Sequence, residues 1–366
     1  MDQQTYRKLI SGQRGGLRAA ALRLLLRAAS GFYSIAIGLR SFLYSRGWLK
    51  VHRVNVPVIS IGNITTGGTG KTPLVIWLCN LLHEKNIACA VLTRGYKAAK
   101  NSKLKTQNYS DEPAIFAESC PQTKVIVNPD RIAGAAEAVD RFGAKILIMD
   151  DGFQHRRLVR DLDIITIDAM LPFGYDKLLP AGLLRESLKA LKRTDAAVIT
   201  RCNQVSNLKL AQIEQKLKFI NPHLAIAKSI HQPICAKTID EEISVEGLKD
   251  KKIFAFCGIG NPAAFSKTIE QLGCQLAGSK IYDDHYHYSS NDIADICERA
   301  EDAEADLILT TQKDWTKITS GCGFAISAGQ SPVLFAYLAI ELRFVSGEEK
   351  IRRLIENVLA GTISGK

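Results

Sequence analysis

Short apolar runs alternate with amphipathic segments along most of this chain. Residues 56–61 are an apolar run that reads as a buried strand, followed by a predicted helix from Pro73 to about Lys85. Strands at 88–93 and 124–127 follow, with a polar loop over 97–109 and a short helix beginning near Asp111 between them. A helix over 130–142 leads into the continuous apolar run 145–149, which reads as a central strand buried on both faces. Strands at 163–167 and 196–200 complete a first set. After His231-Gln232-Pro233 a second set opens, with strands at 252–256, 275–282 and 306–311 and helices at 262–272 and 291–303 between them. Strand–helix alternation of this kind predicts an α/β fold. It is a doubly wound, mostly parallel sheet, joined by a second, smaller α/β domain. The expected boundaries are 1–50 for an N-terminal segment belonging to the first domain, 51–230 for the core and 234–366 for the smaller domain.

The N-terminal segment departs from the pattern. Arg7, Lys8, Arg14, Arg18, Arg23, Arg27, Arg40, Arg46 and Lys50 carry no acidic residue among them, and Leu22, Leu24, Leu25, Leu26, Phe32, Ile35, Leu39, Phe42 and Trp48 are interspersed. The longest uncharged run, 28–39, is short of the roughly 20 residues a bilayer span requires. A basic, apolar helix lying in the membrane interface is the expectation. A core-packed helix with snorkelling arginines is the alternative.

The strand at 56–61 runs into Thr65-Thr66-Gly67-Gly68-Thr69-Gly70-Lys71-Thr72-Pro73. A buried strand, a glycine-rich turn and Gly-Lys-Thr at a helix start form a phosphate-binding loop. Glycines let backbone N–H groups curl round phosphate oxygens, and the helix N-terminus favours negative charge. Thr66, Gly67, Gly68, Thr69 and Gly70 would cradle the phosphates. Lys71 would reach the β- and γ-phosphates, and the Thr72 hydroxyl would ligate Mg²⁺. These features imply a nucleoside triphosphate, bound with Mg²⁺. Thr65 stands where the full pattern asks for glycine.

Asp150-Asp151-Gly152-Phe153-Gln154-His155 follows the buried run at 145–149, at the strand end where open α/β sheets place ligands. Asp150 and Asp151 are candidate metal-site acids. Ser110-Asp111-Glu112-Pro113 offers two more carboxylates at a helix start, with Glu112 a further candidate metal ligand and an N-cap as the plain alternative. Arg131, Arg156, Arg157 and Arg185 are candidates for phosphate clamping. Tyr282-Asp283-Asp284-His285-Tyr286-His287 is a polar cluster that reads more readily as a solvated turn than as a zinc site, and Gly258-Ile259-Gly260 lacks the rest of a dinucleotide fingerprint.

Composition narrows the partners. A net charge of +11 points to an anionic partner, and no aromatic–basic RNA signature accompanies it. Nine cysteines without metal spacing suit free thiols in a reducing compartment.

Together these strings resemble the tetraacyldisaccharide 4′-kinase family of lipid A biosynthesis. Residues 56–64, Gly67 to Pro73, Arg94-Gly95-Tyr96, Asp111-Glu112-Pro113, Asp150 to His155, Leu179-Pro180-Ala181-Gly182, Leu184-Arg185-Glu186, Asp284-His285 and Lys313-Asp314 carry the resemblance in the family's order. Ser110 and Leu183 depart from the family's usual glycine and proline. The resemblance implies transfer of the γ-phosphate of ATP, with Mg²⁺, to the 4′-hydroxyl of a tetraacylated, 1-phosphorylated glucosamine disaccharide. It further implies Asp111 as catalytic carboxylate, with His285 paired to it across a domain cleft. Asp150 and Asp151 would manage Mg²⁺ and the phosphates, Arg131 and Arg185 would contact phosphates, and Gln154 and His155 would complete the turn. A lipid acceptor suits a monomer attached peripherally to the cytoplasmic face of the inner membrane, without nucleic acid. Two other readings are a partitioning-type ATPase, whose signature lysine position here holds Thr66, and a nucleotide-gated membrane adaptor, which would need neither Asp111 nor His285.

Overall fold

The computed structural model describes residues 3–95, 111–284, 286–321 and 333–361. The chain divides into two compact units. The first comprises Met1–Arg94, Gln122–Ile230 and Arg343–Lys366, and the second Gly95–Pro121 and His231–Leu342.

In chain order the elements begin with helices α1 (Gln3–Ile10) and α2 (Leu17–Ser45), then β1 (Val58–Gly62), α3 (Lys71–Glu84), β2 (Cys89–Thr93), α4 (Asp111–Ser119), β3 (Lys124–Val127), α5 (Arg131–Asp140) and β4 (Ile146–Asp150). There follow β5 (Leu162–Asp168), β6 (Ala196–Thr200), α6 (Asn207–Ile220), β7 (Ala225–Lys237), β8 (Glu242–Ser244), α7 (Val245–Leu248), β9 (Lys252–Cys257) and α8 (Pro262–Gln271). The chain ends with β10 (Gln275–Ile281), α9 (Ser290–Asp302), β11 (Leu307–Thr311), α10 (Gln312–Gly321), β12 (Leu334–Ser346) and α11 (Glu348–Leu359).

The sheet of the first unit runs β6-β5-β1-β4-β2-β3. Every pairing along that path is parallel. Strands β1, β4, β5 and β6 are buried along their whole length, as strands of a parallel sheet covered on both faces are. The strand order reverses at β1, whose neighbours are β4 and β5. The carboxyl ends of β1, β4, β5 and β6 therefore flank one topological switch point. At the end of β1 the backbone passes very close to the turn after β4: a Cβ on Gly62 would lie 2.5 Å from Phe153 Cβ and 2.7 Å from Phe153 N.

Within the second unit, β10, β9, β11 and β12 form a parallel sheet in that order. Its two faces bury separate clusters, one around Phe256, Ile296 and Phe335 and one around Ile253, Ile269 and Leu309.

The fold class is that expected from the sequence, but the division into units differs in two places. Helix α11 belongs to the first unit, where it buries Ile351, Ile355 and Val358. Phe344 meets Trp77 edge-on at 4.9 Å between centroids, Arg352 lies over Trp77, and Lys85 pairs with Glu356 at 3.0 Å. Helix α4 belongs to the second unit, where Glu118 accepts from Gln312 Nε2 at 2.9 Å and from the Tyr337 hydroxyl. Neither docking leaves a trace in composition, so a boundary read from the break at 231–233 misses both.

Helix α2 is longer than the interrupted apolar run suggests. It is a continuous helix of 29 residues, long and apolar enough to cross a membrane by length and composition, with a mean hydropathy of 1.3 in its most apolar window. Ala19, Arg23, Leu26, Ser30, Tyr33, Ile37, Arg40 and Tyr44 recur at helical spacing as its shielded stripe. Away from that stripe, Leu24, Leu25, Phe32 and Ile35 are each about two-thirds exposed or more.

Candidate active site

The phosphate loop is shaped from beneath. Gly67 and Gly70 adopt φ of 108° and 84°, the left-handed half of conformational space that glycine enters without a Cβ clash. Gly70 is the N-cap of α3 and supplies no side-chain cap, so the first amides of α3 remain for an anion. Thr69 is buried, and its hydroxyl lies 3.0 Å from the donating Asn63 Nδ2 and 2.7 Å from the Thr166 hydroxyl. The Thr200 hydroxyl donates to the Thr69 carbonyl at 2.9 Å. Arg201, at φ 57°, donates to the Gly68 carbonyl at 2.9 Å and pairs with Asp168 at 2.8 Å. The carboxyl ends of β5 and β6 thus hold the Gly68 and Thr69 carbonyls, and the loop amides beyond Thr66 face the phosphate site. Sequence reasoning missed Thr166, Asp168, Thr200 and Arg201. Their position immediately at two strand ends was the available signal.

The acidic turn lies at the end of β4. Asp150 is buried, its carbonyl accepts from Arg131 Nη2 at 3.0 Å, and its carboxylate accepts from the Asp151 amide at 3.0 Å. Asp151 sits at φ 50° and faces two cations, Lys71 Nζ at 3.4 Å and Arg185 Nη1 at 2.8 Å. Burial pushes the Asp151 carboxyl upward, but Lys71 and Arg185 outweigh it and hold the group well below the usual carboxylate range. Arg185 Nη1 also reaches Gln154 Oε1 at 3.3 Å, and Gln154 Nε2 donates to the Asn63 carbonyl at 2.8 Å. Lys71, Arg131, Asp150, Asp151, Gln154, His155 and Arg185 are therefore gathered in one unit, beside Thr66–Thr72.

Two candidate arginines fall elsewhere. Arg156 donates to Ser41 Oγ at 3.1 Å and stacks over Tyr44, so it braces α2 instead of reaching for phosphate. Arg157 is exposed. Leu183 carries a bond that the family's proline would lack: its amide donates to the Gly174 carbonyl at 2.9 Å, while its own carbonyl receives the Thr66 amide at 2.8 Å. Asp111 opens α4, but its side chain, that of Glu112, and His285 lie outside the described residues. Among the described residues no group of three or more His, Cys, Asp or Glu is placed to hold a metal ion.

A family model described as tetraacyldisaccharide-1-P 4′-kinase matches residues 22–360. The chain belongs to that family. Tetraacyldisaccharide 4′-kinase of Syntrophus aciditrophicus is 38% identical over 339 residues, covering 87% of this chain and 89% of that one. The same-named enzyme of Chlorobaculum parvum is 33% identical over 350 residues, covering 92% and 94%. A solved structure of LpxK from Aquifex aeolicus, in complex with ATP, superposes with a TM-score of 0.67 at 30% identity, covering 92% of this chain and 99% of that one. Within the tetraacyldisaccharide-1-P 4′-kinase family this chain is a kinase of lipid A biosynthesis, phosphorylating the 4′-hydroxyl of its disaccharide acceptor at the expense of ATP.

His155 supplies a pH-dependent readout of the turn. Burial, reinforced by Arg131, Arg157 and Arg160, lowers its imidazole to about 4. Between about 4 and the unfolded value near 6.5, the unfolded chain holds a proton that the folded chain does not. Stability therefore rises with pH across that window and is lost as pH falls through it. His155→Gln is expected to flatten the dependence of the urea midpoint on pH between those values. An unchanged slope would show that the imidazole is not held neutral.

Proposed function

We propose that the phosphate loop binds ATP and that Asp151, poised between Lys71 and Arg185, organises the transfer. The ion-paired Asp151 is the observation that carries this reading. A carboxylate bridging two cations keeps both extended at the mouth of the loop, and triphosphate oxygens entering there exchange one anionic partner for another. Lys71 then spans the β- and γ-phosphates, while Arg185 and Arg131 spread the charge on the transferring group.

Thr72 and Asp150 are the residues that would hold Mg²⁺. A hydroxyl and one buried carboxylate at neighbouring strand and helix ends fit an ion that takes its remaining ligands from water and phosphate. Bound there, the ion would supply positive charge against the charge that develops on the phosphates. Asp151, already paired with two cations, serves the phosphates through them, and Glu112 is reserved as a further ligand. Asp111 is assigned as the base that orients the acceptor hydroxyl, with His285 as its partner, on the strength of the family resemblance.

The exposed apolar side of α2 and its basic residues suit peripheral attachment at the cytoplasmic face of the inner membrane. The shielded stripe is bonded to protein along the second half of the helix, which favours an interfacial position over a span. The protein is proposed to act as a monomer.

The Mg²⁺ dependence of transfer tests the metal assignment. Thr72→Ala is expected to raise the Mg²⁺ concentration giving half-maximal rate, and Thr72→Ser, which keeps the hydroxyl, to restore it. Identical Mg²⁺ profiles in wild type and Thr72→Ala would remove Thr72 from the metal site.

A further inference from the structure

The turn that carries Asp151 is held by an unusual set of bonds: the carbonyls of Asp150, Gly152, Phe153, Gln154 and His155 each accept from a guanidinium. Arg131 bonds the Asp150 carbonyl. Arg160 Nη1 bonds those of Gly152, Phe153 and His155. Arg193 Nη2 bonds Phe153 at 3.1 Å and stacks on its ring at 3.8 Å. The Gln154 carbonyl receives Arg40 Nη2 at 2.7 Å. Arg131 opens α5, and Arg160 and Arg193 lie in the connections on either side of β5, whereas Arg40 comes from the N-terminal helix α2.

A second contact joins the same helix to the same machinery. The Tyr33 hydroxyl donates to the Arg185 carbonyl at 2.8 Å. Tyr33 and Arg40 are seven residues apart by their numbers, two helical turns, so both lie on one stripe. One contacts the residue that grips Asp151 and the other the residue that shares the grip. Gln154 is thereby fixed from three sides, by Arg40 at its carbonyl, by Asn63 at its amide nitrogen and by Arg185 at its amide oxygen.

We propose that α2 is a strut of the catalytic turn as well as an anchor, with Arg40 and Tyr33 as positioning residues for Gln154 and Arg185. The proposal deepens the reading of Asp151 given above and rests on it. Withdrawing Arg40 leaves the Gln154 carbonyl without its donor and frees the residue to swing. Arg185 Nη1, shared between Gln154 and Asp151, then follows. A displacement of about 1 Å at a transferring group costs up to roughly 10²-fold in rate, so a small shift of the turn registers in turnover. The consequence is that seating of the helix and readiness of the phosphate site are one mechanical event.

Steady-state kinetics of the full chain, with acceptor presented in vesicles containing anionic phospholipid, tests this. Arg40→Met and Tyr33→Phe are each expected to lower kcat by about tenfold, with the KM for acceptor, the fraction sedimenting with vesicles and the melting temperature unchanged. Arg40→Lys, which still offers one donor to the Gln154 carbonyl, is expected to recover most of the loss. Undiminished kcat in folded variants overturns the proposal. A loss confined to acceptor KM or vesicle binding does so too, since it would make α2 an anchor alone. Should Arg40→Met fail to fold, Tyr33→Phe, which removes a single hydroxyl, decides the question. Asp151→Asn run in parallel separates the two levels: if it retains full activity the underlying site assignment fails, whereas an inactive Asp151→Asn beside fully active Arg40 and Tyr33 variants defeats only the strut.

Discussion

Lys71→Ala is expected to reduce kcat by about 10²–10³-fold with the fold intact. Lys71 is the first residue of α3, and its ammonium stands 3.4 Å from Asp151 at the mouth of the phosphate loop. Its charge is the one this loop would bring to the phosphates, and alanine cannot replace it. Helix α3 does not depend on the side chain, since its buried residues Leu74, Val75, Leu78, Leu81 and Leu82 are unaffected. Turnover at saturating ATP and acceptor, together with a melting curve, measures the effect. Near-normal turnover in a folded variant would remove this loop from the chemistry.

Asp151→Asn carries the second large effect, a fall in kcat of roughly 10²-fold. The substitution keeps the shape of the turn but deletes the charge that Lys71 and Arg185 share. Two cations are left facing each other without their counter-ion, and their geometry toward the phosphates relaxes. Because Lys71 and Asp151 act as one unit, the double variant Lys71→Ala with Asp151→Asn is expected to be little worse than the poorer single variant. Multiplied losses would instead assign the two residues independent roles.

The loop and the acidic turn were legible because their information is local. Gly67, Gly70 and Lys71 declare a backbone shape and a charge within a few residues, and the apolar run before Asp150 declares a buried strand whose end must face the ligand. What supports the site was not legible, for the same physical reason in each case. Arg40 is 114 residues from the carbonyl it bonds, and Arg201 is 133 from its own. An arginine in sequence looks the same whether its guanidinium lies in solvent, as with Arg157, or caps a buried carbonyl, as with Arg160. The N-terminal helix was expected, but its capacity to span was not, because Arg23 and Arg27 interrupt the apolar run. In the folded chain Arg23 turns back to the Arg14 carbonyl at 2.7 Å, and the helix continues past both arginines without a break. The allotment of α11 and α4 was likewise hidden, being decided by Trp77 against Phe344 and by Glu118 against Gln312 and Tyr337.

The most direct measurement is phosphoryl transfer itself. The purified full chain is incubated in detergent with γ-labelled ATP, Mg²⁺ and tetraacyldisaccharide 1-phosphate, and the site of phosphate on the lipid product is determined. The expected result is label on the 4′-oxygen, one ADP formed for each phosphorylated lipid, and loss of both with Lys71→Ala. Hydrolysis of ATP without labelled lipid, or label on any other oxygen of the acceptor, would contradict the account.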